Sequence, residues 1–295
     1  MQIPRFFGTG IALVTPFKKD DSVDFRALTD VVEHVITNGA EYLVALGTTA
    51  ETPVLSENEQ MDILRHILKV NKERVPVVVG MGGNDTAALI GKIARWDLKG
   101  VDAILTASPY YNKPSQKGIH AHYMAVAEAS PVPVIIYNVP SRTGSNISAA
   151  TTLSLASESK KFIGIKEASG DMNQVMAIAS RKPDHFLLIS GDDALTLPMI
   201  SLGGAGVISV IGNAFPRQFS EMVRLALENQ WEEARRIHFS LLEIIGQLFV
   251  EGSPPGIKAA LNILNICENH VRLPLVPVSR GTYSKLSELI KAIPV

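Results

Sequence analysis

The sequence predicts a (β/α)8 barrel, an α/β fold, followed by a C-terminal helical extension. Short, continuous segments rich in Val, Ile and Leu recur about 20 to 33 residues apart, as expected of buried parallel strands. Segments with helical periodicity separate them, and eight such alternations without a change in composition are typical of a closed barrel. The length of 295 residues suits one such barrel.

The predicted strands are these apolar segments. They cover residues 10–16, 42–47, 75–80, 103–107, 132–137, 162–166, 186–190 and 206–210. An open, doubly wound sheet is the structural alternative. Its first turn would usually be rich in glycine, and Val14-Thr15-Pro16-Phe17 is not.

Residues that begin and end helices separate the predicted strands. Ser56 and Glu59 have the spacing of a capping box, and Asp24 can cap the helix that ends near Asn38. A helical stripe after the eighth strand would close the barrel and consists of Phe219, Met222, Val223 and Ala226. Helical patterns then cover residues 232–249 and the region around 259–266. We expect residues 1–228 to form the barrel and 229–295 a helical extension packed on it.

Composition excludes several classes of protein. The 28 basic and 29 acidic side chains nearly cancel, so there is no charge excess that would indicate a nucleic-acid partner. Cys267 is the only cysteine, which rules out an intramolecular disulfide and a thiolate metal cluster. We find no apolar run of membrane-spanning length and no pattern of a cleaved signal peptide. We therefore expect a cytoplasmic protein that does not enter a membrane.

Lys166 interrupts the pattern of a buried strand. It follows Phe162-Ile163-Gly164-Ile165 directly, and an unpaired ammonium is costly to bury. Such a lysine is either paired or a neutral amine, and a neutral amine is a nucleophile. Many lysines at strand ends instead reach water along their methylene stems, so Lys166 alone does not decide between these alternatives.

Other polar groups lie at the ends of the predicted strands, where barrels place their reactive residues. Thr48 and Thr49 follow the second strand and could offer hydroxyl and backbone N–H groups to a carboxylate, or simply begin a helix. Tyr111 follows the fourth strand. Tyr137 ends the fifth strand, beside Lys166 on the sixth if the strands are in register, although a tyrosine there could also be an ordinary core residue.

Two observations argue against a phosphorylated substrate and against a metal-dependent mechanism. Asp192 and Asp193 follow the seventh strand, where many barrels hold a phosphate, and two carboxylates would repel one. No set of His, Asp and Glu has the spacing of a metal site, so we expect neither a metal nor a cofactor. An amine-based mechanism remains.

Three motifs together resemble the dihydrodipicolinate synthase family of pyruvate-dependent, Schiff-base-forming aldolases. They are Gly47-Thr48-Thr49-Ala50-Glu51, Tyr137-Asn138-Val139-Pro140-Ser141-Arg142-Thr143-Gly144 and Gly164-Ile165-Lys166-Glu167-Ala168. The resemblance covers nearly the whole chain. It implies a barrel enzyme, usually a tetramer of two tight dimers, that condenses pyruvate with L-aspartate 4-semialdehyde in the diaminopimelate route to lysine.

The resemblance also implies catalytic roles for four residues of this sequence. Lys166 matches the Schiff-base lysine, and Tyr137 matches the group that donates and accepts protons. Thr48 matches the hydroxyl that relays the proton. Tyr111 matches the tyrosine that reaches into the site of a neighbouring subunit.

Four further positions match substrate-binding residues of the family. Thr49 corresponds to a residue that holds the pyruvate carboxylate, and Arg142 to the guanidinium that meets the carboxylate of the semialdehyde. Gly191 and Ile208 match main-chain positions that line the pocket.

Departures from the family pattern lead to further expectations. Ala50 stands where glycine is usual, beside the expected carboxylate site. Gln60 and Ala88 replace the histidine and glutamate of the lysine-inhibited relatives' effector site, although Asn84 and Tyr110 remain. We therefore expect weak or absent feedback inhibition by lysine.

Two alternative functions remain open. One is a related lyase acting on N-acetylneuraminate or a 2-keto-3-deoxy sugar acid, although Arg142 suits a second carboxylate better than a polyol. The other is a catalytically silent relative that binds pyruvate-like acids or acts as a scaffold.

Overall fold

The computed structural model describes residues 5–293. Its strands form a closed parallel barrel in which each is hydrogen-bonded to the next in sequence order, so the predicted fold class is confirmed. The strands are β1 (Gly8–Ala12), β2 (Tyr42–Ala45), β3 (Val77–Gly80), β4 (Ala103–Ala107), β5 (Val134–Asn138), β6 (Phe162–Glu167), β7 (Leu187–Ser190) and β8 (Gly206–Ser209).

Helices separate the strands and continue after the last one. They are α1 (Phe25–Thr37), α2 (Glu57–Asn71), α3 (Thr86–Arg95), α4 (Gln116–Ala129), α5 (Pro140–Thr143), α6 (Ala149–Glu158), α7 (Met172–Ala179), α8 (Thr196–Ser201), α9 (Pro216–Leu227), α10 (Trp231–Gln247), α11 (Pro255–Ile263) and α12 (Arg280–Ala292). Over residues 5–293, no helix is both long enough and apolar enough to cross a bilayer.

The chain divides into two compact units. Val77–Ile208 form one, and the segments before and after it in the sequence together form the other. The division into a barrel (1–228) and an extension (229–295) therefore stays a prediction, and its outermost residues, 1–4 and 294–295, lie outside the described part of the chain.

The predicted helix signals are confirmed where the structure gives their hydrogen bonds. Ser56 Oγ accepts from the backbone N–H of Glu59 (3.3 Å), and the Glu59 carboxylate accepts from the Ser56 N–H (2.8 Å). Asp24 caps α1 by accepting from two backbone N–H groups. The predicted stripe of α9 is buried throughout.

Several predicted boundaries are wrong. Strand β2 ends two residues earlier than predicted, at Ala45, and β3 and β5 each begin two residues later, at Val77 and Val134. Strand β1 begins two residues earlier than predicted and ends at Ala12, because the Val14 N–H donates to the side chain of Asn213 (3.2 Å) and Pro16 has no N–H to donate. Helix α11 ends at Ile263, before the predicted end at 266, because Asn265 adopts a left-handed conformation with φ 60°.

A shift in register between β5 and β6 sets the alignment of their carboxyl ends. Val134 pairs with Phe162 and the next residue, Ile135, pairs with Gly164, so Ile163 has no opposite residue. From there the pairing runs without interruption to Tyr137 opposite Lys166. Bulges of this kind re-aim the side chains that follow them. Gly164 also allows close packing, since a methyl group at this position would lie 2.8 Å from the carbonyl oxygen of Leu187.

We expect Gly164→Ala to lower the free energy of unfolding by about 1–3 kcal/mol, because the added methyl group would push β6 away from β7. Gly83→Ala is the matched control, since a methyl group at position 83 meets no atom within 4 Å. Thermal unfolding of both variants checks this. Equal melting temperatures for the two variants would show that β6 and β7 can separate without cost.

Candidate active site

Lys166 and Tyr137 lie side by side at the carboxyl ends of β6 and β5. Both are buried, with 5% and 8% of their surface exposed. They pair in register, and the Lys166 Nζ lies 4.4 Å from the centroid of the Tyr137 ring. Over residues 5–293, Lys166 forms no ion pair with an acidic side chain. The structure therefore brings the predicted nucleophile and the predicted proton donor together.

The next residue of each strand fixes this pair from the opposite face of the sheet, because side chains alternate along a strand. Asn138 and Glu167 pair in register, and Asn138 Nδ2 donates to both carboxylate oxygens of Glu167 (3.1 and 3.0 Å). Glu167 also accepts from Gln174 Nε2 (2.9 Å) and the Ser169 N–H (2.7 Å). Neutral N–H donors thus surround a buried carboxylate and hold the two strand ends together.

Asn138 also anchors the loop that carries Arg142. Its Oδ1 accepts from the backbone N–H of Ile147 (2.9 Å), and its Nδ2 donates to Asn146 Oδ1 (2.8 Å). Between these anchors the chain forms the short helix α5, which ends at Gly144 with φ 66°. Arg142 lies on this helix with an exposed side chain.

Gly191 is placed against Lys166. A methyl group at position 191 would lie 3.1 Å from both Cγ and Cε of the lysine, and 2.6 Å from Cβ of Ala168. The Gly191 N–H donates to the carbonyl oxygen of Glu167 (2.8 Å). Glycine at position 191 therefore leaves room for the Lys166 side chain. Ile208, the other predicted lining residue, is fully buried in β8.

Tyr111 projects from the loop that follows β4. Its side chain is 83% exposed, and its backbone is left-handed with φ 69°. A non-glycine residue in this conformation is uncommon and is often found at functional sites. The neighbouring Tyr110 is 45% exposed, and its carbonyl oxygen accepts from Asn84 Nδ2 (3.4 Å).

Thr48 and Thr49 form a single turn of 3-10 helix, Thr48–Ala50, after β2. Thr48 is exposed and Thr49 is buried. The turn is flanked by two further left-handed residues, Leu46 (φ 55°) and Glu51 (φ 56°). The Thr48–Ala50 turn therefore lies in a segment of strained backbone.

Two groups of polar residues in the structure were not predicted as functional. Asn138 and Glu167 each directly follow a predicted catalytic residue. Because both are polar and lie at matching positions of neighbouring buried strands, the sequence could have predicted a hydrogen bond between them. Lys258 lies in helix α11, whose other residues are apolar except for Asn262, and it is fully buried. It shows the same pattern that singled out Lys166.

Comparison with known proteins places the chain in a family. The sequence model of the Dihydrodipicolinate synthetase family matches residues 5–293. A curated relative from Parabacteroides distasonis, named 4-hydroxy-tetrahydrodipicolinate synthase, is 50% identical over 288 residues, which cover 98% of this chain and 97% of the relative.

Solved structures agree with this match. A dihydrodipicolinate synthase from Aquifex aeolicus superposes with a TM-score of 0.94 at 40% identity, covering 97% of this chain and 98% of that chain. A structure described as the first monomeric dihydrodipicolinate synthase variant gives a TM-score of 0.95 at 35% identity, covering 98% of this chain and 97% of that chain. On the family match and these relatives, the chain belongs to the dihydrodipicolinate synthetase family.

Proposed function

We propose that this chain is a lyase that condenses pyruvate with L-aspartate 4-semialdehyde through a Schiff base on Lys166, giving 4-hydroxy-tetrahydrodipicolinate. The observation that carries the proposal is the buried pair of Lys166 and Tyr137, with an amine that has no carboxylate partner in the described residues. The relatives' name supports the choice of reaction.

The reaction begins when the neutral Lys166 amine adds to the ketone carbon of pyruvate and water is lost. The protonated imine that results draws electrons from the neighbouring methyl group, which gives up a proton and leaves an enamine. The enamine carbon then attacks the aldehyde carbon of the semialdehyde. Finally the amino group of the semialdehyde adds to the imine carbon, which closes the ring and releases the lysine.

Proton transfers accompany each of these steps, and we assign them to Tyr137. The contact between its ring and the Lys166 Nζ, at the ends of neighbouring strands, supports this role. Thr48 and Tyr111 would complete a proton relay, Tyr111 by reaching into a neighbouring subunit. The high exposure of Tyr111 supports this second role.

The two substrate carboxylates require separate binding groups. For pyruvate we propose Thr49 and the backbone N–H groups of its turn, and Gly191 and Ile208 as main-chain lining. For the semialdehyde we propose Arg142, whose planar guanidinium suits a carboxylate and which is exposed on α5. No cofactor or metal takes part in this scheme.

We further infer a cytoplasmic homotetramer built as a dimer of dimers. The reaction uses a central metabolite as its first substrate, and Tyr111 needs a neighbouring subunit to be covered.

Lys166→Ala should abolish turnover, and Tyr137→Phe should lower kcat by about 10²- to 10⁴-fold, because general acid–base help is lost. A steady-state assay with pyruvate and the semialdehyde measures both. Lys160→Ala, an exposed lysine six positions earlier, is the control and should keep full activity. Substantial activity in Lys166→Ala would rule out the mechanism. Turnover with a sugar-derived aldehyde in place of the semialdehyde would instead favour the related lyase.

Arg142→Ala should raise the KM for the semialdehyde by about 10- to 100-fold, the range expected for losing a hydrogen bond to a charged group. The KM for pyruvate should change little. Arg181→Ala, on an exposed arginine after α7, is the control. An unchanged KM for the semialdehyde in Arg142→Ala would assign its carboxylate to another residue.

Lysine should inhibit weakly or not at all. Position 88 carries alanine, so no carboxylate there can meet an ammonium group, and the Gln60 amide is occupied by the carbonyl oxygen of Leu55 (2.9 Å). A steady-state assay over a range of lysine concentrations checks this. Half-inhibition at submillimolar lysine would contradict it.

A further inference from the structure

Lys258 is a buried cation within the segment that follows the barrel strands. Its Nζ forms an ion pair with the Glu51 carboxylate, and both side chains are 0% exposed. The same Nζ donates to the carbonyl oxygen of His270 (2.8 Å) and lies 4.1 Å from the centroid of the Phe17 ring. Burial lowers the pKa of Lys258, and the Glu51 carboxylate acts in the opposite direction.

Glu51 connects this cation to the Thr48–Ala50 turn. It is the residue directly after the turn, and its backbone N–H donates to the Thr48 carbonyl oxygen (3.1 Å). Its left-handed conformation, φ 56°, is unfavourable for a residue with a side chain and persists only where the surroundings hold it. Both carboxylate oxygens are held, one by Lys258 and the other by the backbone N–H of Arg272 (3.0 Å).

Arg272 extends the same contact to neighbouring loops. Its Nε and Nη2 donate to the Asp21 carbonyl oxygen (3.0 and 2.6 Å), and its Nη1 donates to that of Val54 (2.9 Å). Both terminal nitrogens also donate to Glu59, the capping residue of α2, and this lowers the pKa of Glu59 to about 2. The guanidinium carbon lies 4.4 Å from the centroid of the Phe17 ring.

These contacts form one unit, which we call the C-terminal clamp: Glu51, Lys258 and Arg272, with Phe17 beneath both cations. A buried ion pair is not an efficient source of stability, because desolvating two charges offsets most of their attraction. Its directional contacts do restrict geometry, since each charge has a defined partner and a defined position. The clamp therefore fixes where Glu51, and with it the turn, can lie.

We propose that the C-terminal clamp positions the Thr48–Ala50 turn for the carboxylate of pyruvate, so that Glu51, Lys258 and Arg272 are positioning residues. The proposal rests on the proposed function, in which Thr49 and its turn hold that carboxylate. None of the three clamp residues needs to touch the substrate. This positioning role would give the C-terminal segment, which carries Lys258 and Arg272, a specific part in the reaction besides packing.

The test compares Lys258→Met, which keeps the side-chain length but removes the charge, with the double variant Glu51→Gln and Lys258→Met. For each, the concentration of pyruvate that gives half-maximal trapping by borohydride is measured, together with kcat and both KM values. We expect that concentration and the KM for pyruvate to rise by about tenfold or more in both, with a smaller change in the KM for the semialdehyde. The double variant, which leaves no unpaired buried charge, should recover thermal stability but not pyruvate binding.

Two further variants keep the test decisive if Lys258→Met folds poorly. Arg272→Lys keeps the positive charge of a side chain that is 15% exposed, but it loses the guanidinium that donates to Asp21, Val54 and Glu59. We therefore expect an intermediate rise in the KM for pyruvate. Leu286→Ala, in the buried face of α12, should lower stability while it leaves all three clamp residues in place, and it should leave pyruvate binding unchanged.

The outcomes separate this proposal from the proposed function. Pyruvate binding within twofold of the wild type in the folded Lys258→Met and Arg272→Lys variants would overturn the clamp alone. An equal loss of pyruvate binding in Leu286→Ala would also overturn it, since the effect would then follow stability. Absence of any pyruvate adduct in the wild-type protein would overturn the proposed function, and with it the ligand assigned to the turn.

Discussion

The register between β5 and β6 is the constraint on which the rest of the site depends. Side chains alternate along a strand, so a slip of one residue would turn Lys166 or Tyr137 to the other face of the sheet. The unpaired Ile163 supplies the one-residue shift that aligns the two side chains. The Asn138–Glu167 contact then locks this alignment, and the space left by the glycine at position 191 lets the lysine side chain lie along it.

Two buried carboxylates are held by different kinds of partner. Glu167 is surrounded by neutral N–H donors on the face of the sheet opposite the amine, so it orders the strand ends without placing a second cation beside Lys166. Glu51 is instead matched by Lys258 and by the backbone of Arg272, within a strained loop. Burying either carboxylate is costly. In both cases the defined partners of the carboxylate restrict the position of the backbone that carries it.

Sequence patterns predicted the barrel, the helix caps and the neighbouring positions of Tyr137 and Lys166, because these depend on local periodicity and on which residue ends a strand. Nothing in the sequence around Ile163 indicates the shift in register, because any apolar residue of the strand could be the one without an opposite residue. The early end of β1 depends on Asn213, about two hundred residues away in the chain, and could not be read from the segment itself. Lys258 did carry a signal, since it is a lysine in a helix whose other residues are apolar except for Asn262. Its partner Glu51 belongs to the motif that contains Thr48 and Thr49. The roles of all eight predicted site residues stay predictions.

The most direct measurement of the central claim is borohydride reduction of the protein in the presence of pyruvate, followed by peptide mass mapping. An amine held at the end of β6 as described should yield one reduced pyruvate adduct, on the peptide that contains Lys166, and none in protein reduced without pyruvate. An adduct on another lysine, or no adduct at saturating pyruvate, would contradict the account.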